Sequence, residues 1–552
     1  MSIPTNIQPT LPEISSLLAS SASLPHPPNL IPLCSSISSE FLTPSSIYLK
    51  LSTASEFTSS FLFESAATTE TIGRHSFIGI NPRKTLVSGP KHGLEADPLP
   101  RLEKELAQWR VADVPRLRLP PMTGGAIGYV GYDCVKYFEP KTRDEGVKDV
   151  LGVPESWFGL FDTIVAVDHF FQKVIVITYL HVPEDLTDEA ELKKAYAAGQ
   201  ATITAMLKIL KSKDLPLPPQ VPIRLNQKYT SNTGQVGYEA HVTKLKHHIT
   251  QGDIIQAVPS QRIARPTDLH PFNIYRQLRT INPSPYLFYI SCADFNIIGA
   301  SPELLVQKSP TTGRIITHPI AGTVKRGADP AADSALAATL QASLKDRAEH
   351  VMLVDLARND VNRVCTPSST RVEKLMIVQK FSHVQHLVSE VSGLLRPGKT
   401  RFDAFRSIFP AGTVSGAPKV RAMQLIASLE KEKRGVYAGA VGYFGYPSVN
   451  LTSGEVEEGA MDTCIALRTM VHKDGVVYLQ AGGGIVFDSV ETDEWEETRD
   501  KAAANVRCVE EAEKQIWAEQ NENEEEVGLG LQESAGVNVV EERQGKVEIG
   551  AA

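Results

Sequence analysis

Cysteine is scarce in this 552-residue chain: six are scattered along it, with no CxxC and no paired short spacing. That excludes a disulfide framework and a zinc site, and such usage suits a reducing cytosol. Long apolar runs are missing as well. Even TIVAVDHFFQKVIVITYL is broken by Asp168, His169, Gln172 and Lys173, so nothing approaches the ~20 residues that a membrane-spanning helix needs. There is no basic surplus either, since 56 Lys and Arg face 64 Asp and Glu for a formal net charge of -8. Gripping nucleic acid or an anionic membrane takes clustered cations. Neither is expected as a partner, and a small molecule is. The first Lys or Arg is Lys50, so the Ser/Pro-rich opening lacks a signal peptide's basic head and a transit peptide's arginines. A cytoplasmic location is the expectation.

What is present is an ordinary globular composition, 42% hydrophobic and 22% charged, in a chain long enough for three or four domain-sized units or a large two-part enzyme. Residues 1–44 read as a flexible N-terminal tail. Strand-like runs such as SFLFES, SFIGI, GGAIGYVGYD and TIVAVD mark an N-terminal region over 45–212. The proline-rich stretch around 213–230 reads as a linker, because its prolines continue neither a helix nor a central strand. The main region, 231–510, opens on GYEAHVTKLKHHITQGD, where Tyr238, Val242, Leu245 and Ile249 fall at helical spacing. From 511 to 552 the chain is acidic and weakly periodic, a mobile tail after one last helical stretch. A weak echo links GGAIGYVGY with AGAVGYFGY; it is read as like packing, not as a repeat architecture.

Two carboxylate pairs carry the chemistry. In ETDEWEETRDKAAANV, Glu494 and Glu497 are three apart, with Lys501 one turn on; on a helix they share one side. Spacing alone equally describes a solvated surface. In LKDRAEHVMLVDLARND, Asp346 and Glu349 repeat that spacing on a helix whose next turns are largely apolar, where unpaired charge is costly. Salt bridges to Arg347 or Arg358 are the alternative there. Two such helices suit a hard cation such as Mg²⁺, which takes oxygen ligands and keeps waters. Two loops suit anions: PAGTVSGAPKVRAM runs into a helix with Pro418 in its first turn, and QAGGGIVFDS lets backbone approach a ligand at Gly482, Gly483 and Gly484. Arg468, among apolar neighbours, adds a guanidinium for a carboxylate. The ligand these features describe has at least two carboxylates.

The stretches GDIIQAVPSQR, GASPELLV, PIAGTVKRG, AEHVMLVDLARNDVNRV, FPAGTVSGAPKVRAM, MDTCIALRT and AGGGIVFDS resemble the chorismate-utilising enzymes, and among them the anthranilate synthase large subunits. The resemblance covers about 230–508, and FLFESAATTETIGRHSFIG and GGAIGYVGYD resemble their N-terminal region. It implies an α+β fold with a β-sheet sandwich core and surrounding helices. It implies Mg²⁺ held by Glu349, Glu494 and Glu497 with Asp346 nearby. Thr413, Gly482, Gly483 and Gly484 would cradle the ring carboxylate of chorismate, with Lys501 close, while Tyr437 and Arg468 hold the enolpyruvyl carboxylate. Glu303 and His386 would be the acid/base pair, with Thr323 and Gln256 also in the catalytic set.

Relatives that form isochorismate or salicylate carry a water-activating lysine where this chain has Gln256, and aminodeoxychorismate-forming relatives carry one where it has Ala321. Both absences favour anthranilate over the alternative of an aminodeoxychorismate synthase, and the intact set Glu349, Glu494, Glu497, His386 and Arg468 argues against the other alternative, an inactive regulatory subunit. No cysteine has the GxCxG flanks of a glutaminase nucleophile, so the resemblance implies a separate glutaminase subunit supplying ammonia, in a hetero-oligomer. It also implies a tryptophan feedback site from Ser65 and Glu64 in LFES and from Pro285, Tyr286 and Leu287 in NPSPYLF, with Phe63 and Leu287 departing from the pattern. The insert GYPSVNLTSGEVEEGAMD reads only as a surface loop.

Overall fold

The computed structural model describes residues 6–54, 59–65, 73–184, 189–309, 312–381 and 384–543, so the outermost parts of both expected tails, 1–5 and 544–552, lie outside the described residues. Two large sheets make the inner layers, one of fourteen strands and one of ten. The strand Ser59–Glu64 shows why its run is apolar on both faces: Phe61 points between the sheets and Leu62 toward the helices, each fully buried. Phe61, Ile127, Trp157, Phe288, Ile297 and Val441 help fill the space between the sheets. Helices Pro44–Thr53, Glu189–Leu210, Pro271–Ile281 and Glu491–Arg543 cover the first sheet. Pro98–Ala107, Leu344–Asn362 and Arg401–Ile408 cover the second. Pro271–Ile281 is typical of these helices: Phe272, Tyr275 and Leu278 recur every three residues and are buried on the sheet. The α+β sandwich expected from the sequence is what forms.

The halves of the chain repeat one topology. A helix (Leu11–Ser21 or Gly234–Thr250) precedes a strand (Leu30–Ser38 or Ser260–Pro266), then a helix (Pro44–Thr53 or Pro271–Ile281) and a hairpin of the first sheet. Later in each half a hairpin, Thr163–Asp168 with Lys173–His181 or Thr469–Lys473 with Val476–Gly482, leads to the last helix. The halves meet strand to strand in both sheets. Ser59–Glu64 pairs with Tyr286–Cys292, Phe63 opposite Phe288, and Gly125–Val130 pairs with Ala440–Phe444, Gly128 opposite Gly442. The second junction joins the two echoing segments, so the reading as mere like packing is corrected: they are equivalent strands of a duplicated topology. A Cβ on Gly128 would collide with the Trp157 carbonyl, and one on Gly442 with that of Asp462.

Three further expectations are corrected. The supposed N-terminal tail is built in: Leu11–Ser21 buries Ile14 and Leu18, and Leu30–Ser38 pairs with Lys173–His181 along nine positions. Its serines and prolines mask a helix with a capping box at Thr10 and Glu13. The acidic segment after 511 continues the helix Glu491–Arg543, with Ala512 and Glu513 buried and Glu513 in a bidentate pair with Arg265 at 2.7 Å. The insert is no free loop: Ser448–Val449 and Val456–Glu457 extend the first sheet beyond Val111–Ala112, and Glu458 accepts from the Arg401 amide at 2.8 Å. The 213–230 boundary divides the chain but not the sheets, which both run across it.

Candidate active site

Glu349 lies in the second turn of Leu344–Asn362, a helix capped by Ser343. Glu494 lies in the first turn of Glu491–Arg543, just after the three glycines that end the strand Val476–Gly482. These carboxylates meet at consecutive glycines. A Cβ on Gly483 would stand 2.9 Å from Glu494 Oε2, and one on Gly484 would stand 3.4 Å from Glu349 Oε1 and collide with the Gln256 amide. Gln256 Nε2 donates to Glu349 Oε1 at 3.1 Å. Ser489 Oγ donates to Glu494 Oε1 at 2.6 Å, while Oε2 is buried with no hydrogen bond among the described residues. Burial, with the negative charge of Glu497 adding to it, raises both carboxyls above their ordinary range.

The other two expected metal ligands are turned elsewhere. Glu497 pairs with Lys501 at 2.7 Å on a half-exposed helix face, and Asp346 accepts from Ser343 Oγ at the helix start. Among the described residues, no three His, Cys, Asp or Glu form a ready-made metal cage. Glu497 and Asp346 still lie close enough for their negative charge to raise the Glu349 carboxyl, and Glu497 raises that of Glu494 as well. Lys501 Nζ also donates to the Gly482 carbonyl at 3.1 Å, which ties the helix to the glycine turn.

Gln256 and Thr413 are brought together by a two-strand ladder, Gln256–Ala257 with Gly416–Ala417. Pro418 is the N-cap of Lys419–Glu430, just outside the first turn expected for it. Thr413 Oγ1 donates to the two oxygens of Glu303 at 3.1 and 3.3 Å. Glu303 is 4% exposed, and burial pushes its carboxyl up to about 8, so it is protonated at neutral pH. His386 faces Thr323 across a strand pair. Its Nδ1 lies 2.9 Å from the Gly322 carbonyl and 3.1 Å from Thr323 Oγ1. Bonded to a carbonyl, Nδ1 carries the proton, which leaves Nε2 a lone pair; that nitrogen is buried and has no hydrogen-bond partner among the described residues. Burial lowers His386 to about 4, so the ring is neutral.

Tyr437 is buried with its hydroxyl against Gly482. Arg468 sits at a backbone φ of 49° between two strands. No hydrogen bond or ion pair of its guanidinium appears among the described residues, and burial lowers its pKa. Its positive charge lies close enough to His386 to help hold that ring neutral. Of the residues expected at the feedback site, Glu64 stands opposite Leu287 at the junction of the halves. Glu64 accepts from Tyr275 at 2.8 Å and Arg279 at 3.1 Å, Tyr286 donates to Asp462 at 3.3 Å, and Asn282 Nδ2 is buried with no hydrogen-bond partner among the described residues.

Sequence reasoning missed Tyr238 and Ser489. Tyr238 accepts from the Gly483 amide at 3.2 Å, yet in the sequence it is only one member of an apolar stripe. Ser489 has no motif at all; its role exists because the chain turns back onto Glu494.

A protein from Saccharomyces cerevisiae named anthranilate synthase component 1 is 59% identical over 496 residues, covering 89% of this chain and 94% of its own. The crystal structure of anthranilate synthase component I from Streptococcus pneumoniae is 35% identical and superposes with a TM-score of 0.65 over 78% of this chain and 92% of that one. A menaquinone-specific isochorismate synthase from Escherichia coli shares the fold alone, at 18% identity, a TM-score of 0.65 and 91% and 98% coverage. Residues 58–507 match the family described as chorismate binding enzyme. The chain therefore belongs to the chorismate binding enzymes.

Proposed function

We propose that this chain is the large subunit of an anthranilate synthase, converting chorismate and ammonia to anthranilate and pyruvate. The observation that carries the reading is the meeting of partly buried Glu349 and buried Glu494 at Gly483 and Gly484, with Gln256 hydrogen-bonded to Glu349. A glutamine there is no general base for water, which favours amination over hydration.

Two like charges withdrawn from water, one with an oxygen that has no hydrogen bond among the described residues, fit a cation. Mg²⁺ fits such a pair because it binds through one or two carboxylates and retains waters for the substrate to replace. Glu349 and Glu494 would hold it, with Glu497 and Asp346 within reach of its waters. When bound, it offsets the charge of the substrate's ring carboxylate. Thr413, the glycine turn and Lys501 cradle that carboxylate, and Arg468 with Tyr437 takes the enolpyruvyl carboxylate.

The protonation states divide the chemistry. Neutral His386 has a free Nε2 lone pair to accept a proton from the ammonia that adds at ring carbon 2, and Thr323 holds its tautomer. Protonated Glu303 gives its proton to the hydroxyl expelled from carbon 4, which leaves as water. Loss of pyruvate then makes the ring aromatic. All six cysteines are held above the ordinary thiol range by burial, which supports a separate glutaminase as the ammonia source. Ser65, Glu64, Pro285, Tyr286 and Leu287 form the tryptophan site, so the N-terminal region is regulatory. Among the described residues no helix is long and apolar enough to cross a membrane, in keeping with a cytoplasmic enzyme.

The test is anthranilate fluorescence with chorismate and ammonium. A signal that needs Mg²⁺, is suppressed by tryptophan and appears with glutamine only after a glutaminase subunit is added supports the reading. Accumulation of 4-amino-4-deoxychorismate overturns it.

A further inference from the structure

Tyr437 stands on a bend, Lys433 to Gly439, that is held from two sides. From the catalytic half, Arg434 is 2% exposed and spends every guanidinium nitrogen. Nε and Nη2 pair with Glu430 at 2.9 and 2.7 Å. Nη1 donates to the Val414 carbonyl at 2.9 Å, and Nη2 to that of Val258 at 2.6 Å. Val414 follows Thr413, and Val258 lies two residues beyond Gln256. Glu430 in turn accepts from the Ser260 amide and hydroxyl at 2.7 and 2.8 Å. The guanidinium lies between two rings, Tyr132 at 4.5 Å and Tyr437 at 5.6 Å.

From the other half of the chain, Asp133 accepts from the backbone amides of Arg434 at 3.3 Å and Gly435 at 2.8 Å. The Tyr132 amide donates to the Gly435 carbonyl at 2.9 Å. Glu155 accepts from Lys433 at 2.9 Å. Gly435 has φ 64° and Ala438 φ 61°, a path that a free loop with a non-glycine residue rarely follows. The bend keeps it because its amides and carbonyls are bonded on both sides.

We infer that Arg434 and Asp133 are positioning residues for the substrate site: together they set the bend that aims Tyr437 at the Gly482 turn, while Arg434 also pins the loops of Gln256 and Thr413. The N-terminal half is then a working part of the site that grips chorismate, beyond any role in feedback. This rests on the reading of Tyr437 as a ligand of the enolpyruvyl carboxylate.

The variant that isolates it is Asp133→Asn, which keeps the shape but turns one acceptor into a donor facing backbone amides. The expected result is a chorismate KM about tenfold higher, the scale of one mispaired buried hydrogen bond, with the ammonium KM unchanged and kcat changed little. Combined with Tyr437→Phe, Asp133→Asn should add little further rise, because both act through one hydroxyl. A wild-type chorismate KM, or effects that multiply in the double variant, overturns the proposal. Arg434→Lys should show the same KM pattern with a wider effect that includes kcat; if it does not fold, Asp133→Asn carries the test. Chorismate binding by calorimetry separates the two readings, since Asp133→Asn weakens binding whatever product forms, whereas a wild type that binds chorismate but makes no anthranilate counts against the proposed reaction alone.

Discussion

The first and second halves of this chain share an order of helices and strands, yet only one carries the carboxylates that chemistry needs. After its last hairpin each half starts a helix with glutamates in the first turn. In the first half Glu189 and Glu191 are largely exposed and paired with Lys193 and Lys194. In the second half Glu494 is buried, bonded to Ser489 and left with a lone oxygen over Gly483. The same local pattern is surface in one place and site in the other. What differs is the turn that precedes it, three glycines against His181, Val182 and Pro183, and the long excursion between Lys308 and Ala440 that brings Glu349, His386 and Thr413 over it. The first half has only the short path from Ser88 to Gly125 in that position.

The contrast can be tested by what each half loses. The largest effect is expected at the anchor of the last helix: Arg265→Met leaves buried Glu513 unpaired, and by the cost of breaking a buried ion pair it should destabilise the protein by about 3–5 kcal/mol, read as a lower denaturant midpoint. Next, Glu494→Gln should lower kcat/KM by about 10²–10³, as for removal of one electrostatic stabiliser, while Glu189→Gln at the equivalent turn leaves the rate unaltered. An equal loss in both would erase the distinction between the halves. Glu303→Gln should cost about a hundredfold in kcat, the scale of one general acid. Because Glu303 is pushed up to about 8 it is protonated below that pH and loses the proton above it, so wild-type activity should fall as pH rises through about 8 and the variant should not show that limb. The smallest effect belongs to the first half's own anchor. Lys50 donates to the carbonyls of Ser212 and Asp214 at 2.6 and 2.7 Å, and Lys50→Met should lower stability by about 1–3 kcal/mol through unmet buried acceptors, measured by thermal unfolding.

How much of this the sequence carried depends on distance along the chain. Glu349, Glu494, the glycine turn and Arg468 are legible because each sits in a short motif whose chemistry is local. The helix at Leu11–Ser21 was hidden by composition, although Ile14 and Leu18 are one turn apart and Thr10 with Glu13 forms a capping box. Spacing placed Glu497 and Glu494 on one helix side but not their fates: rotamer and neighbours send Glu497 to Lys501 and Glu494 inward. Tyr238 and Asp133 were illegible because their partners, Gly483 and Gly435, are brought to them only by the tertiary fold, and Ser489 because the turn that folds it back onto Glu494 carries no motif. The duplication itself showed as one faint echo, since only the glycines that let strands approach at Gly128 and Gly442 had to be the same.

The strand junctions between the halves also bear on how the protein is born. While the ribosome is still making the second half, the strands Ser59–Glu64 and Gly125–Val130 have no neighbour on one side, because Tyr286–Cys292 and Ala440–Phe444 have yet to emerge. The nascent first half therefore displays two bare sheet edges, the features that invite pairing with the wrong chain. Those edges close only once the chain has been made as far as Phe444 and the second half has paired with them.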